Sequence, residues 1–208
     1  MPSNNAFFQR DDYHVTEMDG FVLPDGWWSR GYEYPWVLQY AQPWQVVADM
    51  GTCYLYRPLR YELAKVCGHV YAVDYRSELL GQRPAERLEF VVANFTRGVD
   101  AIPSGSLDRI FCVSVLEEQW DIAKLALIEF QRLLKPDGLA VITMDARYLD
   151  DRPLLVYPGV DMDAFIQNVT AAGLEFIGPV DLDKTNALHH EEWNLAVFHC
   201  VLQKARNE

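Results

Sequence analysis

Several places in this 208-residue chain gather side chains that can do chemistry. Asp74 closes the apolar run HVYAVD (69–74), and an acid at the end of a buried strand can accept hydrogen bonds from both hydroxyls of a ribose. A solvated strand-end carboxylate that caps the next helix would look the same in sequence. The stretch Asp49-Met50-Gly51-Thr52-Cys53-Tyr54-Leu55 follows an earlier apolar run, and the distance from Asp49 to Asp74 fits one strand–helix–strand unit. Two further runs end at Asn94-Phe95 and at Val113 to Glu118. Glu117 and Glu118 either orient an amine or hydroxyl substrate or enrich a helix's first turn in negative charge, as its dipole favours. His189-His190-Glu191-Glu192 reads as a solvated loop or as a source of a general base, since a neutral His removes protons near pH 7. Neighbouring side chains diverge and no further ligand cluster is evident, so no metal is expected there. Glu118, His189 and His190 are therefore the candidate catalytic groups. From Gly26 to Trp44 the chain is unusually aromatic, with Arg30, Tyr32, Glu33 and Tyr34 mixing charge and ring faces. Such a segment suits a cationic or planar small molecule, or else covers the edge of a sheet as core. Arg30, Tyr34 and Glu118 are the candidates for binding a substrate.

These groups need a scaffold that brings strand ends together. Residues 1–25 are polar and irregular and read as a loose arm, and 26–44 as an aromatic helical or lid segment. Ser29 is placed to cap a short helix there, with Pro35 near its start. Residues 45–208 read as an α/β domain. Buried strands are expected at 45–51, 69–74, 87–95, 107–116 and 139–145, with two closing strands at 174–182 and 192–204. Helices are expected at 57–68, 77–82, 121–138 and 162–173, the long third one stopped by Lys135-Pro136-Asp137-Gly138. Short apolar strands alternating with helices indicate a parallel sheet covered on both faces. The expected fold is a Rossmann-like, doubly wound, seven-stranded mixed sheet with the last strand antiparallel, in one domain overall.

Composition narrows the partners. Eighteen Lys and Arg against 30 Asp and Glu give a net charge of −12, and no window is basic enough to replace the counterions of a duplex. Duplex nucleic acid and membrane surfaces are not expected partners. No apolar run reaches the ~20 residues that span a bilayer. Cys53, Cys67, Cys112 and Cys200 are scattered without a C-x-x-C pair, which fits reduced cysteines in a cytoplasmic protein.

The order VYAVDYR, LEFVVANF, SGSLDRIFCVSVLEEQW and IEFQRLLKPDGLAVITMD resembles class I S-adenosylmethionine-dependent methyltransferases of the small single-domain kind, over residues ~44–204. The resemblance implies S-adenosylmethionine as cofactor and a small-molecule acceptor. It implies that Asp49 and Gly51 stand at the methionine end and that Asp74 binds the ribose diol. Tyr75 would lie against the adenine, Asn94 would accept a bond from the adenine amino group, and Phe95 would pack beside the ring. Val113 and Ser114 would form the floor under the methionine part, with its carboxylate pairing to Arg30. In the family's Asp-x-Gly-x-Gly-x-Gly loop only Asp49 and Gly51 are kept, and Cys53 and Leu55 take the later glycine positions. Two outcomes follow: a loop rearranged around the same cofactor, or a methyltransferase-like domain that binds another ligand or serves as a partner subunit. A homo-oligomer also stays open.

Overall fold

The computed structural model describes residues 4–55, 57–118, 123–149, 151–152 and 159–206. Five parallel strands form its centre: β4 (Val46–Met50), β5 (His69–Asp74), β6 (Leu88–Val92), β7 (Leu107–Val113) and β8 (Leu134–Arg147). Their near-continuous apolar sequences follow from burial on both faces. The long final strand β11 (Leu195–Lys204) runs antiparallel to β8 in unbroken register from Leu195↔Arg147 to Gln203↔Leu139. Across the sheet the order is β11-β8-β7-β4-β5-β6, so the chain reverses direction beside β4 and opens a crevice at the carboxyl ends of the strands.

Among the described residues the sheet has nine strands rather than seven. β9 (Leu174–Phe176) and the antiparallel β11 were expected. The additions are β1 (Ala6–Phe7) and β10 (His189–His190), both paired with β11. Two-residue strands carry no alternation that a sequence can reveal, and so the arm and the loop read as irregular. A separate two-strand ribbon joins β2 (Glu17–Met18) to β3 (Phe21–Val22). Residues 121–122, where a helix was expected to begin, lie outside the described residues. Lys135–Gly138, expected to end the third helix, falls within β8, where the register against β7 shifts.

Helices cover both faces. On one side α3 (Ala123–Leu133) and α4 (Met162–Ala171) bury Ala126, Phe130, Phe165 and Val169 against the sheet. On the other, α1 (Arg30–Leu38) and α2 (Pro58–Val66) bury Tyr34, Val37, Leu59 and Leu63. Helix α1 packs on the sheet, and it also supplies Arg30 and Tyr34 to the crevice described below.

Pro35 lies inside α1 rather than near its start. Lacking an N–H, it leaves the Gly31 carbonyl without its helical partner, and the Val15 amide donates to that carbonyl at 2.9 Å. Gly31 is needed for this approach, because a Cβ there would sit 2.4 Å from the Val15 carbonyl oxygen. Gly31→Ala should therefore push the arm off α1 and cost about 1–3 kcal/mol in urea unfolding. An unchanged unfolding midpoint would contradict this account of the docking.

Candidate functional site

A cavity of about 290 Å³ opens at the carboxyl ends of β4, β5, β6 and β7, at the small end for a ligand pocket. Asp49, Gly51, Cys53, Asp74, Tyr75, Asn94, Phe95, Val113, Ser114, Arg30, Tyr34 and Glu118 all line it. The topology thus gathers at one crevice residues that are scattered from position 30 to position 118.

Two turns shape the floor. Gly51 has φ +77°, and a Cβ on it would fall 2.5 Å from the Val115 side chain, so only glycine fits. The amides of Gly51 and Thr52 both donate to the Val73 carbonyl, which folds the loop back over β5. Cys53 has φ +67° and its amide donates to Asp74 Oδ2 at 3.0 Å. The Arg76 amide donates to Asp74 Oδ1 at 3.0 Å. These two bonds fix the carboxylate at the mouth of the crevice, and each oxygen keeps a further lone pair. Tyr75 is largely exposed beside it, and its hydroxyl accepts from Arg76 Nε.

Asp49 is buried and accepts from the Thr52 hydroxyl at 2.5 Å. Burial pushes its carboxyl up to about 6, with the Asp74 charge adding and the Thr52 bond and Arg60 opposing. Tyr34 is likewise pushed up to about 12 by burial. The pKa of Glu118, at the rim, is raised by partial desolvation.

The opposite wall is a buried polar network centred on Glu33. Its Oε1 accepts from the Ser114 hydroxyl at 2.6 Å and the Thr143 hydroxyl at 2.5 Å. Its Oε2 accepts from Ser29 at 2.9 Å and Arg30 Nη1 at 2.6 Å. Ser29 thus spends its hydroxyl on Glu33 instead of capping a backbone amide. Burial works against the Glu33 charge, but Arg30 and the two strand hydroxyls outweigh it and hold the carboxyl below its ordinary value. Arg30 Nη1 also donates to Ser114 at 2.6 Å, which holds the guanidinium against the cavity floor. Behind the floor lies Glu117, buried, with no partner for either carboxylate oxygen among the described residues. Burial first, and then the Asp145 charge, push its carboxyl well above the usual range.

Two expectations are corrected. Both lone pairs of the Asn94 carbonyl oxygen face its own chain, accepting from the Thr96 amide at 3.0 Å and the Thr96 hydroxyl at 2.8 Å. Asn94 therefore offers an N–H donor to a ligand, not an acceptor. His189 and His190 do not line the cavity. Antiparallel pairing of β10 with β11 holds them at the outer rim. There His189 stacks on Tyr148 with centroids 4.0 Å apart, and His190 on Trp193 at 3.9 Å. Among the described residues no cluster of His, Cys, Asp and Glu is arranged to hold a metal.

Thr143 and Asp145 escaped the sequence reading, and Glu33 entered it only as one of the charges mixed into the aromatic segment. Asp145 ends the run LAVITMD, so inspecting the fifth strand end as the first four were inspected would have found it. Glu33 gave only an (i, i+3) spacing to Arg30.

Residues 49–142 match the family model described as a methyltransferase domain. Among solved structures, the chain is similar to the [4+2]-cyclase SpnF (TM-score 0.70, 12% identity, covering 96% of this chain and 88% of that one). It is also similar to the Burkholderia thailandensis 1,6-didemethyltoxoflavin-N1-methyltransferase solved with bound 1,6-didemethyltoxoflavin and S-adenosylhomocysteine (0.60, 20%, covering 84% and 77%). A third is the Haemonchus contortus phosphoethanolamine N-methyltransferase 2 in complex with S-adenosyl-L-methionine (0.63, 14%, covering 86% and 56%). A search of curated protein sequences finds no match. No helix among the described residues is long and apolar enough to cross a membrane.

Proposed function

We propose, from the match of residues 49–142 to a methyltransferase-domain model and the resemblance to class I S-adenosylmethionine-dependent methyltransferases, that this chain binds S-adenosylmethionine in the crevice and methylates a small molecule. The observation that carries this reading is Asp74, whose two oxygens are fixed by backbone amides at the mouth of the cavity. A carboxylate so held can accept both hydroxyls of a ribose. Tyr75 and Phe95 would lie against the adenine, and the Asn94 amide would donate to a ring nitrogen. Asp49 would take the ammonium and Arg30 the carboxylate of the methionine part. Val113 and Ser114 would form the floor beneath it.

The bound sulfonium supplies an activated methyl group, so no protein nucleophile is required. What the chain contributes is alignment for in-line displacement and exclusion of water. Arg30, Tyr34 and Glu118 border the space left for the acceptor. A net charge of −12 argues against a polyanionic acceptor.

Calorimetric titration with S-adenosylmethionine and, separately, S-adenosylhomocysteine tests the reading. Micromolar binding, roughly −8 kcal/mol, is expected. No binding up to millimolar in folded protein would overturn it. A second reading keeps S-adenosylmethionine in the crevice and runs another reaction in the acceptor space, since fold does not fix function and SpnF, of the same fold, is a [4+2]-cyclase. It predicts the same binding without methyl transfer to any acceptor.

Binding should also depend on pH. In the free protein Asp49 is pushed up to about 6, yet an ammonium needs it ionised. A proton must therefore leave before the ligand binds at lower pH. S-adenosylhomocysteine affinity should hold above pH 7 and fall below 6, approaching about tenfold per pH unit. Asp49→Asn should bind more weakly at pH 7.5 and lose that slope. A flat wild-type profile from pH 5 to 7.5 would remove Asp49 from the ammonium site.

A further inference from the structure

The loop that lacks the later glycines is held from behind by two side chains. Arg60, fully buried in the first turn of α2, donates through Nη1 to the carbonyls of Thr52 at 3.2 Å and Cys53 at 2.8 Å. Through Nη2 it donates to the Leu55 carbonyl at 2.8 Å and to Gln82 Oε1 at 2.8 Å. Gln82, just beyond the 3-10 turn Ser77–Gly81, donates through Nε2 to the Tyr54 carbonyl at 2.6 Å. Each carbonyl from Thr52 to Leu55 is thus tied to this pair, and the two tying side chains bond each other. The rings of Tyr61 and Phe90 lie 5.2 and 5.7 Å from the guanidinium carbon.

Turning these carbonyls toward α2 directs the Cys53 amide at Asp74 and requires the left-handed backbone at Cys53. Glycine adopts that backbone at no steric cost, whereas a residue with a Cβ needs outside support. A planar guanidinium with several fixed donors is suited to holding successive carbonyls at once, which a point-charge ammonium is not.

We propose that Arg60 and Gln82 are positioning residues that hold the Thr52–Leu55 loop in its cofactor-facing conformation, doing here what the later glycines do in the family pattern. The inference rests on the cofactor reading above, so its test has one arm without ligand. Gln82 is only half-buried, and Gln82→Ala is the mild variant. In ligand-free protein it should speed amide exchange over residues 52–55 about fivefold or more while leaving Tm nearly unchanged. Its S-adenosylhomocysteine affinity should fall about fivefold. Arg60→Lys should weaken binding further. Adding Cys53→Gly to Gln82→Ala should recover much of the lost affinity, a rescue that a general packing defect would not give. Unchanged loop exchange and affinity in Gln82→Ala would overturn the proposal. So would a loss of affinity that Cys53→Gly leaves untouched. Wild-type protein that binds no S-adenosylhomocysteine would instead overturn the cofactor reading on which the proposal rests.

Discussion

Replacing Asp74 by alanine should weaken S-adenosylhomocysteine binding by about 1.5–3 kcal/mol, the worth of charge-assisted hydrogen bonds lost from a fixed carboxylate, or roughly ten- to 150-fold in Kd. The site makes this loss hard to recover. Asp74 is only 7% exposed, and the amides of Cys53 and Arg76 hold its two oxygens in place. Those same amides lose their acceptors in the variant, so the loop beside β5 loosens as well. Asp74→Asn should fall between wild type and alanine, because one of its two positions becomes a donor facing an amide N–H. Isothermal titration of the three proteins at pH 7.5 reads the series. Equal affinity in all three would mean that no diol is bound at this strand end, and would favour a domain that has kept the fold and changed its ligand.

Glu33→Ala should cost about 3–5 kcal/mol of stability, because it removes the carboxylate of a buried ion pair on which four side chains converge and leaves the Arg30 charge without its counterion. The carboxylate is fully buried and gathers Arg30, Ser29, Ser114 and Thr143 onto its two oxygens. For a chain of this length the change corresponds to a Tm drop on the order of 10 °C. Glu33→Gln keeps the shape and loses the charge, and should fall part of the way. Since the Glu33 carboxyl is held below its ordinary value, its stabilising contribution is present above the unfolded pKa and is lost as pH falls through the folded one. The wild-type advantage over Glu33→Gln should therefore shrink in acid. Thermal unfolding at pH 7 and pH 4 checks both points, and a Glu33→Ala Tm close to wild type would refute the argument. Ligand affinity should fall too, because Arg30 and Ser114 form part of the cavity wall.

Much of the site was legible because strand ends are legible. An apolar run ending in an acid marks the strand and the crevice together, as HVYAVD does for Asp74. Asp49, Phe95 and Ser114 followed by the same logic with the family pattern beside it. Hydrogen-bond polarity was not legible: the Asn94 oxygen turns onto Thr96 two residues ahead, a local choice invisible at the level of residue type. Glu33 was hidden for a different reason. Its partners Ser114, just past the end of β7, and Thr143, on β8, lie far along the chain, and no local pattern announces such a convergence. The histidines misled because the antiparallel strand β11 begins at the carboxyl-end rim of the parallel strands, with Leu195 opposite Arg147 of β8. A loop preceding it comes near the crevice without entering it.

Pairing of β1 with β11 has a consequence for how the chain is made. The Asn5 amide donates to the carbonyls of Ile177 and Pro179 while its oxygen accepts from the Val201 amide, and Ala6 lies opposite His199. Asn5 to Phe7 thus have no β11 edge to dock on until residues 195–204 have been made. Until then Phe7, which packs edge-on against Phe198, waits uncovered while β4 to β8 assemble. This long separation along the chain delays closure of the sheet, and the arm is the surface a chaperone would meet in the meantime.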